Sequence, residues 1–175
     1  MILTLIGMSG GGKSTVGKVL ARRLRYRRID TDKLIEDTKG KKLQSLIDED
    51  GDMALIGIEQ DCILSMQLPD DCIISTGGSV VYSEKSMNFL KENSTIIFLD
   101  VPFTTLEKRL SNIGNRGVVG LKHGSLYDIY QERYPLYENY ADMTIHVSDS
   151  DSVRDVVKKI IGRLDIVLKN GKYLK

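Results

Sequence analysis

One octapeptide constrains this chain more than any other feature. Residues Gly7–Ser14 read GMSGGGKS and match G-x-x-x-x-G-K-[S/T] at every fixed position. Such a run needs a buried strand before it and a helix after it. The apolar run Ile2 to Ile6 precedes it, and Val16, Val19, Leu20 and Leu24 follow at helical spacing. Glycines let the backbone curl so that successive N–H groups point inward at phosphate oxygens. The helix behind them presents its positive end at the same point. Gly10, Gly11, Gly12, Lys13, Ser14 and Thr15 are therefore the expected phosphate-binding set. Lys13 is placed to reach β- and γ-phosphates, and Ser14 to ligate Mg²⁺. The chain reads as a nucleotide binder.

Other features narrow the class. A guanine-reading Asn-Lys-x-Asp does not occur. Asp37 to Gly40 imitates a switch glycine motif, but no strong strand precedes it. Ile96 to Asp100 ends an apolar run in an aspartate, as motor and transporter ATPases do. The Val101-Pro102 step behind it fits an ordinary strand-to-helix turn, so both readings stay open for Asp100. At 175 residues the chain suits a single domain, 1–175, and is small for those ATPases. Its 25 Lys and Arg against 24 Asp and Glu give a net charge of +1. That leaves no basic surplus for duplex nucleic acid or an anionic membrane, and neither partner is expected. Cys62 and Cys72 have no CxxC spacing, and buried inert thiols are expected. The N-terminal run is short and has no basic leader, and no window nears the ~20 apolar residues of a bilayer span. A cytoplasmic location follows as the expectation.

The rest of the chain alternates strand and helix. Strands are expected at Ile2 to Ile6, Tyr26 to Ile29, Cys72 to Ser75, Thr95 to Leu99 and Met143 to Val147. Helices are expected from Val16 to Leu24, from Asp32, over Leu43 to Ile47, and over Gly51 to Met66. Further ones cover Ser83 to Lys91 with Ser83 as N-cap, Thr104 to Leu110, Ser125 to Tyr140 with a break near Pro135, and Ser152 to Leu168. Apolar strands separated by helices imply a three-layer α/β fold: a five-stranded parallel sheet covered on both faces. Residues 112–124 are glycine-rich and weakly patterned, which reads as a mobile loop.

Ile29 is followed by Asp30, Thr31 and Asp32, then Ile35 and Glu36. Carboxyl ends of parallel strands face the ligand crevice. There, one carboxylate can help hold Mg²⁺, while the other orients an acceptor hydroxyl and takes its proton. Asp30 and Asp32 are the two candidates, with Asp30 or Thr31 as a mere helix N-cap the plainer alternative.

With these residues in place, the chain resembles the shikimate kinase family, among the small P-loop kinases. The resemblance runs through the phosphate loop with Val16-Gly17, the Ile29–Asp32 run with Ile35-Glu36, Gly40, and Gly51-Asp52 to Glu59. It continues through Ile74 to Gly78, Arg109, Arg116, Arg133 to Tyr137, and Ala141-Asp142, over roughly residues 1–160. It implies a P-loop kinase fold with a mobile lid at about 112–124, and ATP and Mg²⁺ as cofactors. It implies phosphoryl transfer to a hydroxyl of shikimate by a monomer. In that reading Lys13, Asp32 and Arg116 are catalytic, and Arg116 would enter with the lid to neutralise developing charge. Arg109 lines the nucleotide site. Asp32, Gly77, Gly78 and Arg133 bind the acceptor, with the Arg133 guanidinium pairing its carboxylate. Ser14 and Asp30 serve the metal.

Three positions depart from the family pattern. Ile56 stands where an arginine that grips the acceptor carboxylate is usual. Ser79 replaces the third glycine after Thr76, and Gly117 replaces a proline behind Arg116, which should loosen the lid. A shikimate kinase with a weakened acceptor grip, or a relative acting on another small polyol, both fit this pattern. A nucleotide-binding module with little turnover is the third reading. The basic run Arg22, Arg23, Arg25, Arg27 and Arg28 reads as a solvated helix end. Tyr127, Tyr130, Tyr134, Tyr137 and Tyr140 read as a core or lid-supporting face, and His123 and His146 as isolated.

Overall fold

A computed structural model describes residues 1–111, 117–121 and 123–169. Five parallel strands form one sheet: β1 (Ile2–Ile6), β2 (Arg27–Asp30), β3 (Cys72–Ser75), β4 (Thr95–Asp100) and β5 (Met143–His146), in the order β2-β3-β1-β4-β5. The central strands β1, β3 and β4 are continuous apolar runs, with Leu3, Leu5, Ile73, Ile74, Ile96 and Ile97 fully buried. Burial on both faces is what a parallel sheet between helix layers demands, and each such side chain contributes about 1.5–3 kcal/mol. The edge strand β2 begins with the exposed Arg27 and Arg28, so the basic run of the sequence lies partly on a sheet edge.

The helices are α1 (Lys13–Leu24), α2 (Thr31–Lys39), α3 (Leu43–Asp50), α4 (Asp52–Leu64), α5 (Glu84–Asn93), α6 (Phe103–Ser111), α7 (Leu126–Tyr140) and α8 (Val153–Lys169). Helix α1 packs against α8 and β3, while α5 and α7 pack against β4. Local chemistry sets their ends. Ser83 accepts from the Ser86 amide at the start of α5, and Ser125 forms a reciprocal capping box with Asp128 at the start of α7. Gly40, the imitation switch glycine, closes α2 as its C-cap.

Two expectations are corrected here. The sequence predicts a break at Pro135, but α7 runs through it. Proline costs the helix one hydrogen bond, yet Arg133 and Tyr137 on either side are fully buried and bound, which holds both halves in line. A 3-10 turn, Val80–Tyr82, also forms between β3 and α5, where no helix was expected.

The chain crosses the sheet between β3 and β4, passing from one side of β1 to the other. Ligands of open parallel sheets sit outside the strand carboxyl ends at such a crossing. Register brings the relevant segments to one rim: Asp30 pairs with Ser75, and Ser75 with Leu5. The phosphate loop, the segment after Ser75 and the start of α2 therefore open onto the same crevice. Besides the main core, a second cluster of Ile35, Leu46, Ile47, Leu55 and Val119 welds α2, α3 and α4 together beside it. Among the described residues no helix is long and apolar enough to cross a membrane.

Candidate active site

A cavity of about 1210 Å³ opens at this rim, lined from Ser9 to Val16 on one side and by Asp32, Glu59, Gly77 and Arg133 on the other. The phosphate loop is held by its own backbone. The Gly11 amide donates to Met8 O at 3.0 Å. Gly7 adopts φ 139°, and a side chain there would begin 2.8 Å from Leu99 O, so only glycine fits. Lys13 opens α1 and is 7% exposed. Its ammonium donates to Gly7 O at 2.7 Å and Met8 O at 2.9 Å. Burial lowers its pKa to about 8, with Asp32 the largest opposing charge and Glu59 the next. Arg109 Nη1 donates to Gly10 O at 3.2 Å, which ties this arginine to the phosphate loop. Ser14 and Thr15 face outward at the first turn of α1.

Opposite the loop stands the start of α2. Asp30 caps it, accepting from the Lys33 amide at 3.3 Å, and pairs with Arg28 at 3.1 Å. The N-cap reading is therefore realised, and Asp30 also lines the cavity. Asp32 follows one residue into the helix, with its pKa raised by burial and lowered in part by Lys13. Thr31, fully buried, accepts from the Gly77 amide at 3.1 Å. A side chain on Gly77 would begin 2.8 Å from Asp32 Oδ1 and 2.5 Å from Glu59 Oε1, so the backbone alone can pass between these carboxylates. Gly78 lies equally close to Ser9 of the phosphate loop, with 2.6 Å to Ser9 Oγ from the corresponding point. These two glycines join the halves of the crevice.

Arg133 on α7 is fully buried. Its Nη2 donates to Val119 O at 2.7 Å, and its guanidinium carbon lies 4.8 Å from the Tyr82 ring centroid. Its Nε and Nη1 have no hydrogen-bond partner among the described residues. Buried donors of this kind are costly unless something is meant to meet them. Tyr137, one turn on, donates to Gly78 O at 2.6 Å and ties α7 to the glycine pair.

Several contributors had no role in the sequence reading, although Asp52 and Glu59 belong to the stretch that carries the resemblance. Glu59 is 3% exposed and accepts from the Gly77 amide at 3.0 Å and Ser79 Oγ at 2.8 Å. The Asp52 carboxylate accepts from the Gly120 amide at 2.9 Å, tying α4 to the end of the glycine-rich segment. At the far end of the cavity, Val147, Asp151, Val153 and Val156 line the wall. The apolar β5–α8 junction carries no motif that would have marked them. Ile56 packs on the second apolar cluster. Gly117, expected to loosen the lid, has φ 26° and sits where a side chain would begin 2.7 Å from Leu43 Cβ, so glycine here also permits close docking on α3. Arg116 lies outside the described residues.

Asp100 resolves toward the plainer reading. It pairs with His146 Nδ1 at 2.7 Å and receives the Tyr134 hydroxyl at 3.4 Å, away from the cavity lining. His146, read as isolated, thus has a partner: parallel pairing of Asp100 with His146 brings two strand ends together.

The donor set also bears on a divalent ion. Among the described residues, no group of three or more His, Cys, Asp or Glu is arranged to hold a metal. Ser14 supplies a hydroxyl beside the phosphate loop, and Asp30 a carboxylate already shared with Arg28 and the Lys33 amide; so few protein oxygens suit Mg²⁺, an ion that draws most of its ligands from water and phosphate.

A phosphate loop whose lysine faces a buried carboxylate across a parallel-sheet rim defines a small-molecule P-loop kinase. A family model described as shikimate kinase matches residues 9–165. The chain is 35% identical over 168 residues to a shikimate kinase of Microcystis aeruginosa, covering 95% of this chain and 87% of that one. It is likewise 35% identical over 160 residues to a shikimate kinase of Clostridium botulinum, covering 90% and 94%. A solved structure, shikimate kinase from Acinetobacter baumannii in complex with shikimate, superposes with a TM-score of 0.82 at 26% identity, over 97% of this chain and 93% of that one. The chain belongs to the shikimate kinase family. It is an ATP-dependent phosphotransferase that works with Mg²⁺, of the family acting in aromatic amino acid biosynthesis.

Proposed function

We propose that the described residues divide the transfer of the ATP γ-phosphoryl group to a shikimate hydroxyl as follows. The observation that carries this reading is Arg133, buried with Nε and Nη1 unpartnered in the cavity shared by Lys13 and Asp32. Unpaired N–H donors on a permanently charged guanidinium suit a carboxylate, which shikimate carries. Lys13 leaves Gly7 O and Met8 O for the β- and γ-phosphates, while amides of Gly10, Gly11, Gly12, Ser14 and Thr15 cradle them. Arg109 stays on the outer side of the loop, against the nucleotide. Ser14 and Asp30 would hold Mg²⁺, which would supply charge neutralisation on the phosphates.

Asp32 orients the acceptor hydroxyl and takes its proton. Burial favours this, because a carboxylate raised above its usual range is a stronger base. Gly77 and Gly78 bring backbone to the acceptor without a side chain in between. Arg116, on the segment behind α6, neutralises charge on the transferred group, a role resting on its sequence position. Residues 1–175 act as one domain with a lid over 112–124, as a monomer in the cytoplasm. The thiols of Cys62 and Cys72 are free, which suits a reducing compartment.

A second acceptor is favoured by one observation, the apolar Ile56, which leaves Arg133 without a second cation. ADP release with shikimate, Mg²⁺ and ATP tests the first reading against a panel of polyols lacking a carboxylate. Turnover of shikimate that falls when Arg133 is replaced supports it. Turnover confined to uncharged polyols overturns it.

A further inference from the structure

Glu59 is fully enclosed and takes no part in the mechanism above. It follows Ile56 by one helical turn on α4. Its hydrogen bonds come from Ser79 Oγ and the Gly77 amide, neither of which carries charge. The ionisable groups acting on it are Lys13 on α1, Asp32 on α2, Cys62 on its own helix and Tyr137 on α7, while Arg133 and Tyr82 interact with Tyr137 and with each other. The cavity floor thus sets Lys13 and Arg133 against Asp32 and Glu59, and its charge is balanced before any acceptor enters. Lys42, nearer the mouth, is exposed and bound to Glu36.

An acceptor carboxylate brought to Arg133 adds one more negative charge to this floor. Ile56 supplies no cation to meet it. An uncompensated charge in so enclosed a place is expensive, and the ordinary remedy is to neutralise a carboxylate. Glu59 is placed to be that carboxylate. Burial and the Asp32 charge already push its pKa up to about 7, against the bonds from Ser79 and Gly77. The Ser79 hydroxyl can turn to accept as readily as it donates, so the pair is satisfied in either protonation state.

We propose that Glu59, held by Ser79, is a specificity-determining residue that takes up a proton from water as an anionic acceptor binds, so that this proton fills the place of a second cation. The proposal rests on the acceptor reading above. Its sign follows from linkage. Well below pH 7 Glu59 is neutral in both states, and acceptor binding takes up no proton. Above pH 7 the free enzyme carries Glu59 ionised, and binding draws the proton in. Acceptor affinity therefore falls as pH rises, by at most about tenfold per pH unit. An uncharged polyol shows no such dependence.

The test is calorimetric titration of shikimate into the full chain at about pH 7.5, in buffers of low and high ionisation heat. Buffer-dependent heat equivalent to uptake of roughly half to one proton is expected, with binding about three- to tenfold weaker at pH 8.5 than at pH 7. Glu59→Gln should abolish both the uptake and the pH dependence. Ser79→Ala keeps the carboxylate but removes its donor, and should move the uptake to higher pH even if Glu59→Gln does not fold. Shikimate binding without buffer dependence, or with the same uptake in Glu59→Gln, overturns this inference alone. Absence of any binding heat overturns the acceptor reading and takes this inference with it.

Discussion

The two halves of the crevice are built by different means. The nucleotide half is backbone: one loop of eight residues, its amides turned inward, set on the main core between β1 and α1. The acceptor half is side chains from separate segments: Asp32 on α2, Glu59 on α4, Ser79 after β3 and Arg133 on α7. It rests on its own small apolar cluster. A backbone cradle tolerates substitution around it, because its donors are present whatever the side chains. An assembled pocket changes ligand preference with each exchange. This explains why the departures Ile56 and Ser79 fall on the acceptor half while the phosphate loop is intact.

The largest effect should come from the residue that serves both halves. Lys13→Ala removes the ammonium that reaches phosphate and also the cation that balances Asp32 and Glu59. Transfer should fall by a factor on the order of 10³, and ATP binding should weaken with it. Steady-state rates together with nucleotide titration check this. Near-normal ATP affinity would mean that the halves are less coupled than their shared charges imply.

Asp32→Asn should separate the halves. Removing the base while keeping its shape should lower kcat by about 10²-fold or more and leave ATP affinity within a few-fold. An equal loss of ATP binding would place Asp32 on the nucleotide side instead. The pH profile sharpens the point. Because burial raises the Asp32 pKa, the wild-type rate should fall on the acid side at a pH above that of an ordinary carboxylate, and this limb should vanish in the variant.

The same contrast sets what the sequence could tell. The loop was legible because its residues are contiguous and its chemistry depends on spacing alone. The strands were legible because β1, β3 and β4 are buried on both faces and read as unbroken apolar runs. The pairing of Ser79 with Glu59, 20 positions apart, was not, since it depends on how α4 and the turn after β3 meet. The continuity of α7 through Pro135 was hidden for a related reason: local propensity predicts a break, and tertiary anchoring at Arg133 and Tyr137 overrides it. Asp100 and His146 look unrelated in sequence and meet only because β4 and β5 are paired in register.

On the acceptor half alone, Arg133→Met should raise the KM for a carboxylate-bearing acceptor by about 10- to 100-fold, the cost of one buried charged hydrogen-bonding group. The Val119 carbonyl loses its donor at the same time. A thermal melt must therefore accompany the kinetics, to separate lost recognition from lost order in the segment after Gly117. Unchanged KM with a lowered Tm would make Arg133 a structural strut and leave the acceptor carboxylate unread.

The smallest effect belongs to Ile56→Arg, and it bears most directly on how the acceptor half balances charge. The new guanidinium would lie one turn from Glu59 on α4, where residues three apart are neighbours. Two consequences should appear together. The KM for shikimate should fall several-fold, since a cation now meets the carboxylate. Its rise with pH above 7 should flatten, because an arginine beside Glu59 favours the ionised form and leaves no proton to be taken up. The substitution also removes an apolar side chain from the second cluster, so some stability should be lost from α2, α3 and α4 while the phosphate loop is untouched. A lower KM with the pH dependence intact would mean that the arginine binds the acceptor without replacing the Glu59 proton. An unchanged KM with a flattened pH profile would mean the reverse: charge balance at the floor of the cavity is adjusted without any direct grip on the acceptor.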